Sequence, residues 1–349
     1  MKKTFTKPYF DKNALVTNYL KILKVVVGTC MAMGVANLFS LQFAPSAGII
    51  TLLSIQDTKK DTIKIAIHRF LSFFLAMLVA KVCFEWLGFG VVGFGGFLLV
   101  FVGLSYLFHI TDGISMNAVL TTHFLSMEVV SGATVLNEFG LFTIGVIVGV
   151  VINWFMPKET EYIKEQVAMI EKEMKDIFLR ISKLLEQGEE VPRNESVQTM
   201  QKVFFSLEQR LASSLSIAEK NMKNELFYDA SYYMRYLNMR KSQVVILKRI
   251  YLEIMTLTYK TSQSEQIEDF FVELSRSFHE HNNVKDLLVK LEYMFAYYEK
   301  EKLPKSRKEF EHRAVLYMCL KELQAFLEIK RDFVEGLSED MIARYWSTL

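Results

Sequence analysis

The chain has 349 residues, 51% hydrophobic and 23% charged, with a formal net charge of +2. That near balance argues against nucleic acid as the main partner, and three scattered cysteines are too few for a disulfide framework. The averages hide a division: 14 of the 16 glycines precede residue 150, and residues 1–157 hold 11 Lys and Arg against 7 Asp and Glu, the remainder 30 against 32.

The basic N-terminus (Lys2, Lys3, Lys7, Lys12) has the charge of a signal peptide. However, Val25–Gln56 runs for 32 residues without a charge, far beyond an h-region of roughly 7–15 residues. A spanning helix needs about 20 apolar residues, so this run reads as one full crossing and one short one. Pro45 and Gly48 divide them, and Ser46 is placed to cap the second. The predicted spans are Ile22–Leu41, Ser46–Gln56, Ile65–Leu87, Gly88–Phe108, Ile114–Met127 and Phe139–Phe155. After Lys158 the period changes: Ile163, Val167, Ile170, Met174, Ile177, Ile181 and Leu184 form a heptad seam, suited to a copy in another subunit or to a bundle interior. This helix is expected to continue the last span beyond Pro157, and Gly188–Ser196 breaks it. Helices then follow over Ser196–Lys223, Tyr228–Tyr259, Ser264–His279, Val284–Lys300 and Ser306–Leu337, with no strand-like alternation. The expected fold is all-α. A six-span membrane domain over residues 1–157, built as two inverted three-helix halves with short middle helices, precedes a cytoplasmic helical bundle over 158–349.

Orientation follows from Lys and Arg. They concentrate at the N-terminus, over Lys59, Lys60, Lys64 and Arg69, and after Lys158, whereas the loops around Phe43–Ser46, Glu85–Gly88 and Glu128–Glu138 have none. Both termini are therefore expected in the cytoplasm of a multi-pass cell-membrane protein. Short middle spans at matching positions of inverted halves point to a transport site; the bland alternative is a structural bundle with tilted helices.

Ionisable groups inside a membrane are candidates by default. His123 shares the short fifth span with Asn117, Thr121 and Thr122, a patch able to line a pathway, bind a carboxylate, relay a proton or simply bond a neighbouring helix. Lys59, Lys60, Lys64, His68 and Arg69 put positive charge at an inner mouth, as positive-inside topology alone also would. The helix opening at Ser46 points its positive dipole end into the membrane from outside. Lys81 and Glu85 stand four apart and read as a structural pair, Lys24 as an interfacial anchor, Asp112 as a helix cap. In the second half, His279-Glu280-His281 reads as a solvated helix end rather than a metal site, because histidines two apart do not share a helix face. Tyr228, Tyr232, Tyr233 and Tyr236, with Tyr293, Phe295, Tyr297 and Tyr298, read as bundle core or interface. No Walker, Rossmann, kinase or nucleophile-elbow pattern appears, so no enzyme activity, cofactor or metal is expected.

The stretch from Gln42 through Pro45, Gly48, Gln56, Lys64 and His68 to Arg69 resembles the bacterial aromatic acid exporter family, grouped with fusaric acid resistance proteins and plant aluminium-activated malate transporters. The likeness lies in a short second span ending in Gln, a basic inner loop, an Arg opening the third span, and six spans before a helical domain. It implies export or passive permeation of organic anions by a homodimer or higher homo-oligomer in the lipid bilayer. It also implies that Gln56, Lys64 and Arg69 lie near the inner mouth and that the bundle assists assembly or regulation. The expected function is export of small organic anions, aromatic carboxylates foremost, along a pathway touching Ser46, Gly48, Gln56, Lys64, Arg69, Asn117, Thr121 and His123. The rival is a membrane-anchored scaffold or sensor acting through its bundle.

Overall fold

A computed structural model describes residues 12–155, 160–187, 193–258 and 260–346. The described residues form thirteen α-helices and one short 3-10 turn, with no strand. Pro157, the basic residues Lys2, Lys3 and Lys7, Gly188–Pro192 and Tyr259 lie outside them. Contacts divide the chain into two units, Met1–Pro157 with Lys223–Leu226, and Lys158–Met222 with Phe227–Leu349.

The first unit contains α1 (Lys12–Leu38), α2 (Pro45–Ser54), α3 (Lys59–Leu87), α4 (Val91–Leu107), α5 (Ile114–Met127) and α6 (Gly132–Trp154). Two of these, α3 and α6, are long and apolar enough to cross a membrane; Ile22–Leu38, Pro45–Ser54 and Val91–Leu107 are shorter apolar helices. Large side chains face outward, among them Trp86, Val91, Val92, Leu99 and Leu136, which marks surface that meets lipid or another protein rather than water. Small residues dominate the inside. Ala32 and Ala36 of α1, Ala44 and Ala47 beside and within α2, and Leu141 of α6 form one cluster. A methyl group at Gly145 would come within 2.5 Å of Ile50, and one at Gly48 within 2.8 Å of Met33. Close backbone approach through small residues is how helices pack where lipid removes any solvophobic drive between them.

Several boundaries differ from expectation, each for a local reason. α2 begins with Pro45 at its first turn and has no side-chain cap; Ser46 turns inward instead. Thr58 caps α3 by accepting from Asp61 N at 3.2 Å, so Lys59, Lys60 and Lys64 lie on a helix rather than in a loop. Ser131 and Thr134 form a reciprocal capping box, which starts α6 seven residues before the expected Phe139 and carries Glu138 into the helix.

The second unit contains α7 (Thr160–Gln187), α8 (Arg193–Asn224), α9 (Tyr232–Ile254), α10 (Ser262–Ser277), α11 (Lys285–Lys300), α12 (Arg307–Glu335) and α13 (Glu339–Tyr345). The α7 seam is spent internally: Ile170, Met174, Ile177 and Ile181 are fully buried in one core with α9, α10 and α12. At its end the core takes Leu185 rather than Leu184, which is only partly buried. Tyr232 and Tyr236 join that core, while Tyr293 and Tyr297 face outward. Helix α13 is not among the helices expected from the sequence. Its Tyr345 stacks on Tyr232 at 4.3 Å and its carbonyl meets His281 Nε2 at 3.0 Å, so Glu280 and His281 are partly covered while His279 stays exposed as expected.

Charges are buried with the rings. Arg240 donates to Glu171 at 3.0 Å and lies 3.9 Å from the Phe278 ring centre. Lys330, 2% exposed, donates to the Glu280 carbonyl and lies within 5.7 Å of the Tyr236, Phe333 and Trp346 ring centres. Burial, reinforced by Arg240, pushes the Lys330 ammonium down to about 6 against the pull of Glu171 and Glu280. Its folded value lies below the ordinary 10.5, so between those pH values the unfolded chain binds the extra proton, and folding is penalised less as pH rises. Lys330→Met should therefore raise the thermal midpoint of the purified protein at pH 7, with an advantage over wild type that shrinks toward pH 10. Melts followed by near-ultraviolet circular dichroism check this, and an advantage independent of pH contradicts it.

Candidate functional site

A ten-residue helix is about 15 Å long, and α2 carries a polar cluster at each end, Ser46 and Ser54 standing roughly 12 Å apart along it. At the Ser54 end, Arg69, about three turns into α3, is 8% exposed. Its Nη1 donates to Ser54 Oγ at 3.1 Å and its Nε to the Asp112 carbonyl at 3.1 Å. Asp112 belongs to the 3-10 turn Thr111–Gly113. Its carboxylate meets His68 Nδ1 at 2.7 Å, so it latches two helices instead of capping α5. The turn lies hard against α3: a methyl at Gly113 would approach Ser72 Oγ to 2.4 Å. One turn on, the Asn117 amide donates to Ser72 Oγ at 3.0 Å, and its buried oxygen has no partner. Thr121, also fully buried, donates to the Asn117 carbonyl at 2.6 Å.

At the Ser46 end, His123 and Glu138 meet. His123 Nδ1 lies 2.7 Å from Glu138 Oε2, and its Nε2 lies 3.1 Å from Ser46 Oγ. Glu138 is 0% exposed; its other oxygen accepts from Asn137 Nδ2 at 3.1 Å. The Asn137 side chain in turn bridges to the Gln42 backbone at 2.8 and 3.1 Å. Phe43 lies flat on the imidazole, with ring centres 4.1 Å apart and planes 6° apart. It reaches that position from a backbone with φ 60, a region that non-glycine residues enter only when their surroundings hold them there. An imidazole and a carboxylate sealed together can share or exchange a proton, and Ser46 offers the ring its second hydrogen bond.

The structure thus brings Ser46, Arg69, Asn117, Thr121 and His123 into buried polar contacts along α2 and α5. It does not bring in the other three predicted residues. Gly48 faces α1, where Met33 and Thr29 fill the space a side chain would take. Gln56 lies beyond the end of α2, folded back on Leu53 O at 2.9 Å while its own carbonyl accepts from Asn153 at 2.8 Å. Lys64 is exposed on α3. Lys81 and Glu85 are likewise exposed, and no ion pair among the described residues joins them. Lys24 donates to the Phe155 carbonyl at 2.6 Å, tying α1 to the end of α6. Glu138, Asn153 and Ser72 were not singled out in the sequence. The signal for Glu138 was the Ser131–Thr134 spacing of a capping box, which places that residue two turns inside α6 rather than in a loop.

Comparison with known proteins covers both units. Residues 17–156 match the family profile "Aromatic acid exporter family member 1", and residues 160–331 match "Putative aromatic acid exporter C-terminal domain". "Uncharacterized protein YqjA" of Bacillus subtilis (strain 168) is 28% identical over 313 residues, 90% of this chain and 95% of its own. A crystal structure titled "putative membrane protein from Clostridium difficile 630" aligns with 50% of this chain and 99% of its own at 23% identity and a TM-score of 0.42. With matching profiles along nearly its whole length, the chain belongs to the aromatic acid exporter family.

Proposed function

We propose that this membrane transporter exports small organic anions, aromatic carboxylates foremost, across the cell membrane. In this reading six helices cross or enter the bilayer, both termini are cytoplasmic, and residues 158–349 form a cytoplasmic bundle. The observation that carries it is the row of buried polar side chains along α2 and α5, completed from α3 and α6, that runs from Arg69 and Ser54 at one end to His123 and Glu138 at the other. Polar side chains buried in a membrane domain are candidate pathway groups by default, and the Asn117 side-chain oxygen in the middle of the row has no partner. Positive-inside placement of Lys59, Lys60 and Lys64 puts the Arg69 end on the cytoplasmic side. Arg69 is the cation that receives a carboxylate there: its contacts are to neutral oxygens, Ser54 Oγ and the Asp112 carbonyl, so its charge is not consumed by a direct carboxylate pair. The His123–Glu138 pair lies toward the outer side and couples anion passage to proton movement.

The scaffold reading loses its most direct device. The heptad seam it would recruit through is already buried in the second unit's own core.

In proteoliposomes loaded with benzoate, Arg69→Ala should lower efflux by about tenfold or more, since a charge-assisted contact contributes roughly 1.5–3 kcal/mol. Equal flux in wild type and variant, or background flux in both, contradicts the proposal. Glu138→Gln, which preserves shape and removes the carboxyl that faces His123, should abolish the response of flux to an imposed pH gradient. An undiminished response excludes the pair from proton coupling.

A further inference from the structure

In the first unit, the loop between α1 and α2 lies over the His123–Glu138 end of the polar row. Glu138 is 0% exposed and His123 and Ser46 are each 7% exposed, whereas Phe43, stacked on the imidazole, is 36% exposed. Its ring therefore stands between the sealed pair and the surface. The loop is held in an unusual backbone conformation. Ser40 and Phe43 have φ of 53 and 60, and a residue with a Cβ keeps that conformation only where other contacts impose it. Contacts with α6 supply the restraint. Asn137 accepts from Gln42 N at 2.8 Å and donates to the Gln42 carbonyl at 3.1 Å, beside Phe43 in sequence. Leu41 rests on Gly140, where a methyl group would come within 3.0 Å of it. The same Asn137 nitrogen that holds Gln42 also donates to Glu138 Oε1 at 3.1 Å.

Packing alone accounts poorly for this arrangement. A phenyl ring kept for its burial would sit deeper, and both imidazole nitrogens have partners without it. What the ring adds is a cover over a pair able to take up or release a proton. We propose that Phe43 is a movable lid over the His123–Glu138 pair and that Asn137 is the positioning residue that keeps it closed. Closed, the ring excludes water from the pair. Open, Ser40 and Phe43 relax toward ordinary φ, the ring swings off the imidazole, and water reaches Ser46, His123 and Glu138. Hinges are a few loop residues that absorb such a rotation, and Ser40 and Phe43 are placed on either side of the clamped Gln42. Asn137 ties lid and pair together, because one nitrogen donates to both Gln42 and Glu138. A shift of the carboxyl is therefore felt at the loop. In the transport reading, on which the lid's role but not its motion rests, proton exchange with that side of the bilayer is confined to the open state.

The reporter is Ser46→Cys in the full chain with Cys30, Cys83 and Cys319 replaced by serine, held in lipid nanodiscs so that reagent meets both faces. Its rate of reaction with a charged, membrane-impermeant methanethiosulfonate measures how often the lid opens. Phe43→Ala should raise that rate about tenfold or more, and Phe43→Tyr, which keeps the ring, should leave it near the parent value. Asn137→Ala removes the bonds to Gln42 and should also raise the rate about tenfold. In the Phe43→Ala protein it should add nothing, since the clamp has no lid left to hold. A second reporter, Ser54→Cys, at the other end of α2 and 5% exposed as serine, should respond to neither substitution. The lid is overturned by a Ser46→Cys rate unchanged in Phe43→Ala or in Asn137→Ala, or by a Phe43→Tyr rate as high as that of Phe43→Ala. Additive effects of the two substitutions, or an equal rise at Ser54→Cys, overturn it as well. Labelling needs no flux, so a failed lid leaves the transport reading standing, and background benzoate flux leaves the lid's motion standing.

Discussion

A helix of ten residues reaches only about half the thickness of a bilayer's hydrocarbon core, and in the proposed membrane reading the first unit is organised around that shortfall. Both ends of α2 have to be satisfied by groups from elsewhere in the protein, because lipid offers no hydrogen bonds. The small residues of α1 and α6 let the backbone of α2 lie close enough to be enclosed, and its two serines then reach polar partners on other helices. Arg69 at one end and His123 with Glu138 at the other are held by the same device: a side chain on a long helix fastened to a short one. In the proposed membrane setting, the polar path needs no separate construction. It follows from making a short helix tolerable in lipid.

Much of this was legible in the sequence because its signals were compositional or periodic. The uncharged run from Val25, the break at Pro45 and Gly48, and the seam through Ile170 and Ile177 each rest on a repeating physical requirement. Polar residues isolated in short apolar segments, Asn117 and His123 above all, also stood out. Partnership across helices was hidden. Glu138 looked like a loop residue because apolar patterning alone placed the start of α6 too late. Position along the chain suggests Gly48, and the family resemblance suggests Lys64, but helical phase turns Gly48 toward α1 and Lys64 outward. Asp112 resembled a cap, and only the folded turn shows it latching His68 and offering its carbonyl to Arg69.

The second unit solves a different problem. It buries its seam, a ring cluster and several charges together, and accepts the unfavourable burial of Lys330 among Tyr236, Phe333 and Trp346. Polar groups placed so deeply are satisfied by rings and carbonyls at the centre.

The account rests on α2 and α5 being the short middle members of two oppositely oriented triplets in the membrane. The direct test replaces Cys30, Cys83 and Cys319 by serine and introduces single cysteines at positions 59 and 135. Each is then probed with a membrane-impermeant thiol reagent in sealed cells and in inverted vesicles. The account predicts that position 59 reacts only in inverted vesicles and position 135 only in intact cells. Reaction of both from the same side would contradict the topology and the path drawn through it.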